Sequence, residues 1–100
     1  MPCLIHQFRA PLTTGEEERY VARIYGDQVQ GLWEGWLVFV PVDGGPTLRT
    51  PVETEQATRQ DLGYWAVGLG TAYLESALDR ARDQLRSRPA WLSDPAHPAA

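Results

Sequence analysis

The sequence contains no lysine and no asparagine, and all nine of its basic residues are arginine. Codon usage in a GC-rich genome produces this bias without a functional reason, whereas selection of arginine for two-pronged contacts with phosphates or carboxylates would give it a role. Composition alone leaves both interpretations open. The formal net charge is −4. Because nucleic-acid binding depends on positive charge that displaces counterions, we do not expect DNA or RNA as a partner.

Cysteine is nearly absent too, since Cys3 is the only one. No disulfide can form within the chain, and a reducing compartment is expected. Cys3 and His6 have the spacing of two metal ligands, but a structural zinc site needs four. Gly68 and Gly70 stand too close together for a phosphate-binding loop and would follow a helix instead of a strand. We therefore expect no metal and no cofactor.

Long hydrophobic runs are missing as well. The longest, 36–42, is far shorter than the roughly 20 residues that cross a bilayer, and the opening MPCLIHQFRA lacks the basic-then-apolar pattern of a signal peptide. We expect a cytoplasmic protein that does not enter the membrane. The length of 100 residues predicts one domain over 1–88, followed by a proline- and alanine-rich tail over 89–100.

Alternating apolar residues predict the strands. Cys3 to Phe8 is a weak candidate, whereas 19–26 is typical of a half-buried strand, and a loop is expected from Gly26 to Gly31. Leu32 to Val42 has the strongest strand pattern in the chain. Asp-Gly-Gly at 43–45 then predicts a hairpin turn, and a shorter strand follows at 46–50.

After Thr50 the spacing of apolar residues changes from 2 to 3.6, which indicates helices. Thr58 resembles a capping residue and marks the start of the first helix. A break is expected at 68–71, because glycine costs about 1 kcal/mol inside a helix, and a second helix should run from Ala72 to Ser87. The two apolar stripes are Leu62, Trp65, Ala66 and Leu69, and Leu74, Ala77, Leu78, Ala81 and Leu85.

These elements predict an α+β fold, an antiparallel meander of three to four strands followed by two helices packed on one face. Trp33 and Trp36 lie at odd and even positions of one strand and therefore face opposite sides of the sheet. Because both sides of that strand are apolar, something besides the helices should cover the second side. The candidates are the N-terminal segment, the tail with Trp91, or another protein chain.

An aromatic sheet face without a cover is typical of a protein interface. Four tryptophans buried within one chain would explain the same composition without a partner, and a base-stacking surface would need a basic groove that the sequence lacks. For the interface, the sequence indicates the residues Tyr25, Trp33, Trp36, Val38 and Arg49.

Charged residues give weaker signals. Arg49, Glu53 and Glu55 flank the third strand and would suit an acid–base site if a cleft held them. Solvated charges, or an Arg–Glu pair that ties strand to helix, are the simpler account, so we expect no catalytic residue. The arginines at 80, 82, 86 and 88 predict a solvated helix face with pairs such as Asp79–Arg82; RNA or an acidic partner is the alternative.

Six sequence blocks carry a resemblance: YVARIYG at 20–26, GLWEGWLVFVP at 31–41, GGPTLRT at 44–50, ETEQ at 53–56, YWAVGL at 64–69 and YLESALDRA at 73–81. Through them the chain resembles a family of small uncharacterised bacterial proteins. The resemblance implies no activity, because none is assigned to that family.

A weaker resemblance is to HicB-like antitoxins. It is carried by the strand at 20–22, by the apolar strand that ends at Pro41, and by Glu-Ser-Ala-Leu at 75–78. The Pro-Gly-Cys-like segment of those proteins is replaced by 42–45, and the helix lies further along the chain. This resemblance implies a regulator linked to nucleic acid that binds a small basic toxin. Our leading expectation is a non-enzymatic interaction module that forms a homodimer or takes a small protein partner.

Overall fold

The computed structural model describes residues 1–86, which form one antiparallel sheet and two helices. The fold class is therefore α+β, as the sequence predicts. In chain order the elements are β1 (Cys3–Gln7), β2 (Leu12–Thr13), β3 (Arg19–Val29), β4 (Leu32–Pro41), β5 (Leu48–Arg49), β6 (Thr54–Gln56), α1 (Arg59–Val67) and α2 (Thr71–Arg86). The predicted tail, with Trp91, lies outside the described residues.

The sheet is four strand positions wide, with the long hairpin of β3 and β4 at its centre. β1 and β2 both pair with the outer side of β3, and β5 and β6 both pair with the outer side of β4. Neighbours in the sheet follow chain order, so the predicted meander is confirmed. β2 and β6 have no counterpart in the sequence prediction, because two or three residues are too few to show an alternation.

The hairpin between β3 and β4 is tighter than the sequence predicts. The expected loop from Gly26 to Gly31 is wrong: β3 continues to Val29, and only Gln30 and Gly31 turn, with φ of 51° and 82°. A two-residue turn with positive φ matches the twist of the strands it joins. Gly26 lies inside the sheet, where a Cβ would come within 2.5 Å of a Leu62 methyl group. Glycine is needed at this position because the helix approaches the sheet closely there, and not because the chain forms a loop.

The outer strand beside β4 is interrupted at Thr50 and Pro51, which separates β5 from β6. The hydroxyl of Thr50 accepts a hydrogen bond from the backbone N–H of Leu37 at 3.0 Å and donates one to the carbonyl of Pro51 at 2.8 Å. The buried side chain thus replaces a backbone partner in the ladder. The strand can bend there without leaving Leu37 unsatisfied.

Both helices pack on one side of the sheet and form the core with it. The core cluster consists of Leu12, Tyr20, Ala22, Ile24, Leu37, Phe39, Leu48, Ala66, Leu74, Ala77, Leu78 and Ala81. Leu62 is also fully buried. The predicted helical stripes are therefore confirmed except at Leu85, which lies near the end of α2 and is 42 % exposed.

The helix boundaries agree closely with the sequence. Thr58 has extended backbone geometry and its hydroxyl accepts a hydrogen bond from the N–H of Asp61 at 3.0 Å, which confirms it as the N-cap. α1 ends at Val67 and α2 begins at Thr71, so the predicted helix break is present and α2 begins one residue earlier than predicted. Within residues 1–86, neither helix is long and apolar enough to cross a membrane.

We predict that Thr58→Ala lowers the free energy of unfolding by about 1 kcal/mol, because the N–H of Asp61 loses its acceptor. Denaturant unfolding followed by circular dichroism would measure the change. Thr47→Ala, at an exposed loop position, is the control and should leave stability within about 0.5 kcal/mol of the parent. Equal effects of the two substitutions would contradict a capping role.

Candidate functional site

The side of the sheet that points away from the helices is the candidate site, and we call it the open face. Strand residues alternate between the two sides, and Leu62 of α1 approaches the side of Gly26 and Gly35. Their neighbours Tyr25 and Trp36 therefore point the opposite way, and they pair directly across the hairpin. Among the elements of residues 1–86, none lies across this side, because β1 and β2 extend the sheet at its edge. The N-terminal segment is thus wrong as a predicted cover.

Cross-strand pairing arranges the open face in rows that run perpendicular to the strands. Four central rows lie between an end row of Val29 and Leu32 and an end row of Thr13 and Arg19. We call them the acidic, aromatic, basic and valine rows. In that order they contain Asp27, Glu34 and Glu55; Leu4, Tyr25 and Trp36; Gln7, Arg23, Val38 and Arg49; and Val21 and Val40. Successive rows lie two residues apart along a strand, or about 6.8 Å.

Four of the five interface residues indicated by the sequence come together on this face: Tyr25, Trp36, Val38 and Arg49. Trp33 does not join them. It occupies an odd position of β4, on the helix side, opposite Gln28 of β3 and Gln56 of β6. Because the side-chain period of a strand is two, Trp33 cannot share a face with Trp36. Trp33 is therefore not part of the open face.

Trp36 is less accessible than the sequence suggests. It is only 5 % exposed, and the guanidinium of Arg49 lies over its ring at 4.3 Å from the centroid. Such stacking contributes about 0.5–1 kcal/mol at an exposed site. A partner would therefore meet the outward N–H groups of Arg49, which the stack holds in position for a two-pronged contact with a carboxylate.

The acidic row places three carboxylates on adjacent strand positions, directly opposite one another. Like charges in this arrangement are destabilising. The amino group of Met1 lies 3.3 Å from Asp27 Oδ1, whereas within the described part of the chain Glu34 and Glu55 take part in no ion pair. The basic row cannot neutralise them from the same chain, because the two rows lie about 13.6 Å apart along the strands.

Sequence reasoning did not name Arg23, Asp27, Glu34 and Glu55 among the interface residues. The signal that would have found them is the two-residue turn at 30–31, since it sets the register that pairs Asp27 with Glu34. Assigning a loop to 26–31 removed Asp27 from the strand. With the wrong loop length, the order of rows across the hairpin could not be read.

Glu53 ties the sheet to α2 and does not form the acid–base site considered above. Arg80 donates to both of its carboxylate oxygens, at 2.8 and 3.2 Å, and the hydroxyl of Tyr73 donates at 2.7 Å. The hydrogen bonds from Arg80 are the main cause that lowers the pKa of Glu53, against the effect of its burial, and the bond from Tyr73 lowers it further. A carboxylate held ionised in this way is a poor proton donor at neutral pH. The predicted Arg–Glu tie is present, with Arg80 in place of Arg49.

Arg82 of α2 pairs with residues from the start of the chain and not with its helix neighbour. The predicted pair with Asp79 is wrong, because Arg82 Nη2 instead contacts Glu16 and Glu18, each at 3.1 Å. These groups line a shallow groove of about 300 Å³ between α2 and the turn after β4. Tyr20 forms part of the wall of this groove. Its pKa is raised mainly by burial and, to a smaller extent, by the negative charge of Glu18. Since two carboxylates already neutralise Arg82, the groove has little with which to hold an anion.

Metal-ligating side chains do not cluster in the described part of the chain. Cys3 and His6 both lie in β1, where the His6 ring packs edge-on against Phe8 with 4.6 Å between centroids. Within residues 1–86, no three His, Cys, Asp or Glu side chains approach closely enough to hold a metal ion. That holds for the acidic row as well, so its carboxylates need another kind of counter-charge.

Comparison of the chain with protein-family models, with curated proteins and with solved structures finds no match. Both resemblances stated from the sequence therefore remain predictions, and any functional conclusion has to come from the geometry of the open face.

Proposed function

We propose that this protein is a non-enzymatic interaction module that forms a homodimer through its open face. The observation that carries the proposal is the order of the four rows. Tyr25, and Trp36 beneath the guanidinium of Arg49, lie between the carboxylates of the acidic row and the guanidinium groups of the basic row, and Val38 is the apolar member of the basic row. An apolar centre with charged surroundings is the composition of a protein interface.

The open face is large enough for this role. Four strand positions about 4.8 Å apart and four rows about 6.8 Å apart give a plan area of roughly 500 Å². Two such faces together give roughly 1,000 Å², the lower bound for a specific interface. Interfaces at the low end of the size range are typical of weaker complexes, so we expect dissociation in the micromolar range.

A second copy suits the open face better than the other partner classes. The face carries both signs of charge, so a small basic toxin attracted by Glu34 and Glu55 would be repelled by Arg23 and Arg49. Nucleic acid would be attracted by the arginines and repelled by the carboxylates. An identical chain offers both signs in return, which is the self-complementarity that a two-fold interface requires.

The mass of the full chain in solution tests the proposal. Sedimentation equilibrium over a range of micromolar concentrations should give twice the chain mass of 11.2 kDa. A monomer at every concentration would overturn the proposal, and residues 87–100 of the same chain would then be the next candidate to cover the face.

A matched pair of variants locates the interface. Tyr25→Glu places an unpaired carboxylate in the centre of the open face and should yield a folded monomer, because burying an unpaired charge is costly. Tyr64→Glu makes the same change on α1, at an exposed position outside the face, and should remain a dimer. Dimers in both variants would show that association uses another surface.

A further inference from the structure

The acidic and basic rows distinguish between the two ways in which two open faces can stack. We infer that the copies stack with their strands antiparallel, so that the basic row of each copy lies against the acidic row of the other. This inference rests on the proposed homodimer and adds its register and its ion pairs.

The geometry follows from a two-fold axis that runs along the aromatic row, across the strands. Rotation about this axis turns one open face onto the other and leaves each strand position opposite its own equivalent. The aromatic rows then meet at the centre. The acidic row and the basic row lie on opposite sides of this axis, one row away from it. The acidic row of one copy therefore meets the basic row of the other. Every such contact occurs twice in the dimer.

Strand positions decide which charges meet. Arg49 of β5 and Glu55 of β6 both lie on the outer side of β4, at the same position across the sheet. Arg49 of one copy therefore faces Glu55 of the second copy. In the same way Arg23 faces Asp27, since both belong to β3. Packed sheets cross at about −30°. For residues one row from the axis, this rotation moves each arginine relative to its carboxylate by less than one strand spacing. The long side chains can span that displacement.

The alternative stacking, with parallel strands, is disfavoured by charge. An axis that runs along the strands would place the acidic row on the acidic row and Arg23 near Arg49, and like charges brought together across an interface oppose association. The antiparallel arrangement also places Arg49 opposite Glu55, which has no ion pair within residues 1–86. Glu34 comes to lie opposite Val38, between Arg23 and Arg49 of the second copy. The arrangement thereby accounts for a row of like charges that is unfavourable in the isolated chain.

Arg49 is suited to the contact with Glu55. Its guanidinium is held against Trp36, so little side-chain freedom remains to be lost when a carboxylate binds. Arg23 is held in a similar way, because its Nε donates to Gln7 Oε1 at 2.8 Å. Both arginines thus present their remaining N–H groups outward from fixed positions.

Charge exchange between two chains tests the register. Arg49→Glu alone sets the introduced carboxylate against Glu55 of the second copy, and Glu55→Arg alone sets the introduced guanidinium against Arg49 of the second copy. Each variant should self-associate about 100-fold more weakly than the parent, since each repulsive contact occurs twice and one such pair costs about tenfold. Mixed in equal amounts, the two variants should form a one-to-one heterodimer, because both of its contacts then join opposite charges. The introduced carboxylate of one chain meets the introduced guanidinium of the other, and Glu55 of the first chain meets Arg49 of the second.

The controls are the corresponding reversals outside the open face. Arg59→Glu and Glu75→Arg change exposed helix positions, and each should dimerise like the parent. Native mass spectrometry, with one chain isotopically labelled, distinguishes heterodimers from homodimers. Formation of the heterodimer also shows that both variants fold.

The outcomes separate this inference from the proposed function. A parent dimer that survives both reversals unchanged would overturn the register and leave the homodimer standing. Two monomeric variants that fail to combine would overturn the Arg49–Glu55 pairing in the same way. A monomeric parent overturns the proposed function itself.

Discussion

Replacing Leu62 with alanine is expected to lower the free energy of unfolding by about 2–5 kcal/mol, the range for truncation of a buried leucine. Leu62 is fully buried, and its two methyl groups occupy the space above Gly26 and Gly35 where side chains would otherwise be. The backbone of the central hairpin cannot move in to fill the cavity, because both of its strands are held by paired neighbours.

Leu85→Ala is the control for this effect, since it removes the same atoms from a residue of α2 that is 42 % exposed. We expect it to cost less than about 1 kcal/mol. Chemical denaturation at one fixed protein concentration gives both values, the fixed concentration being necessary because dimer formation adds to apparent stability.

A double-mutant cycle with Gly35→Ala shows whether Leu62 and the sheet are in direct contact. In the parent, a Cβ at Gly35 would lie 2.5 Å from Leu62 Cδ1, and overpacking of this kind costs about 1–3 kcal/mol. In the Leu62→Ala background both nearby Leu62 methyl groups are gone, and Thr54 Cγ2 remains at 3.2 Å. The added methyl should therefore cost less than it does in the parent. The same cost in both backgrounds would contradict the close approach.

Glu53→Gln is expected to destabilise the protein by about 1.5–3 kcal/mol at pH 7, the range for hydrogen bonds to a charged group. The side chain of Glu53 is 9 % exposed and accepts hydrogen bonds from Arg80 and Tyr73. Glutamine removes the charge and turns an N–H₂ group toward one of the Arg80 donors. Glu75→Gln, on the exposed side of α2, should have almost no effect.

The effect of Glu53→Gln should also depend on pH, with a direction set by the lowered pKa of Glu53. Because the folded-state pKa lies below the ordinary value of 4.5, the carboxylate contributes its full stabilisation above about 4.5. That contribution is lost as the pH falls through the folded-state pKa. Unfolding measured from pH 7 to pH 3 should therefore show parent and variant converging in acid. A constant difference would contradict this role for Glu53.

Local physical chemistry in the sequence was enough to predict most of the elements. Alternation over 32–42 placed Leu37 and Phe39 on the opposite side from Trp36, and the cross-strand pairing agrees with this. The cap at Thr58 and the glycine-rich break before Thr71 could also be predicted, because caps and breaks depend on residues within one turn of the helix.

The candidate site was only partly predictable. Tyr25, Trp36, Val38 and Arg49 came from composition and alternation, but the rows of charge around them depend on register. Gly26 illustrates the difficulty, since glycine is common in loops and equally necessary where a helix side chain presses on a strand. Only the position of Leu62, 36 places further along the chain, decides between the two.

By itself, then, the sequence determined the fold class, the order of the main strands and helices, and the side of the sheet to which residues 20–25 and 33–40 point. These follow from the period of the backbone and from contacts within a few residues. The tertiary structure decided the register of β3 on β4, the partners of Glu53 and Arg82, and the order of charges on the open face. Those contacts join residues distant in sequence, and their energies depend on which groups packing brings within a few ångströms.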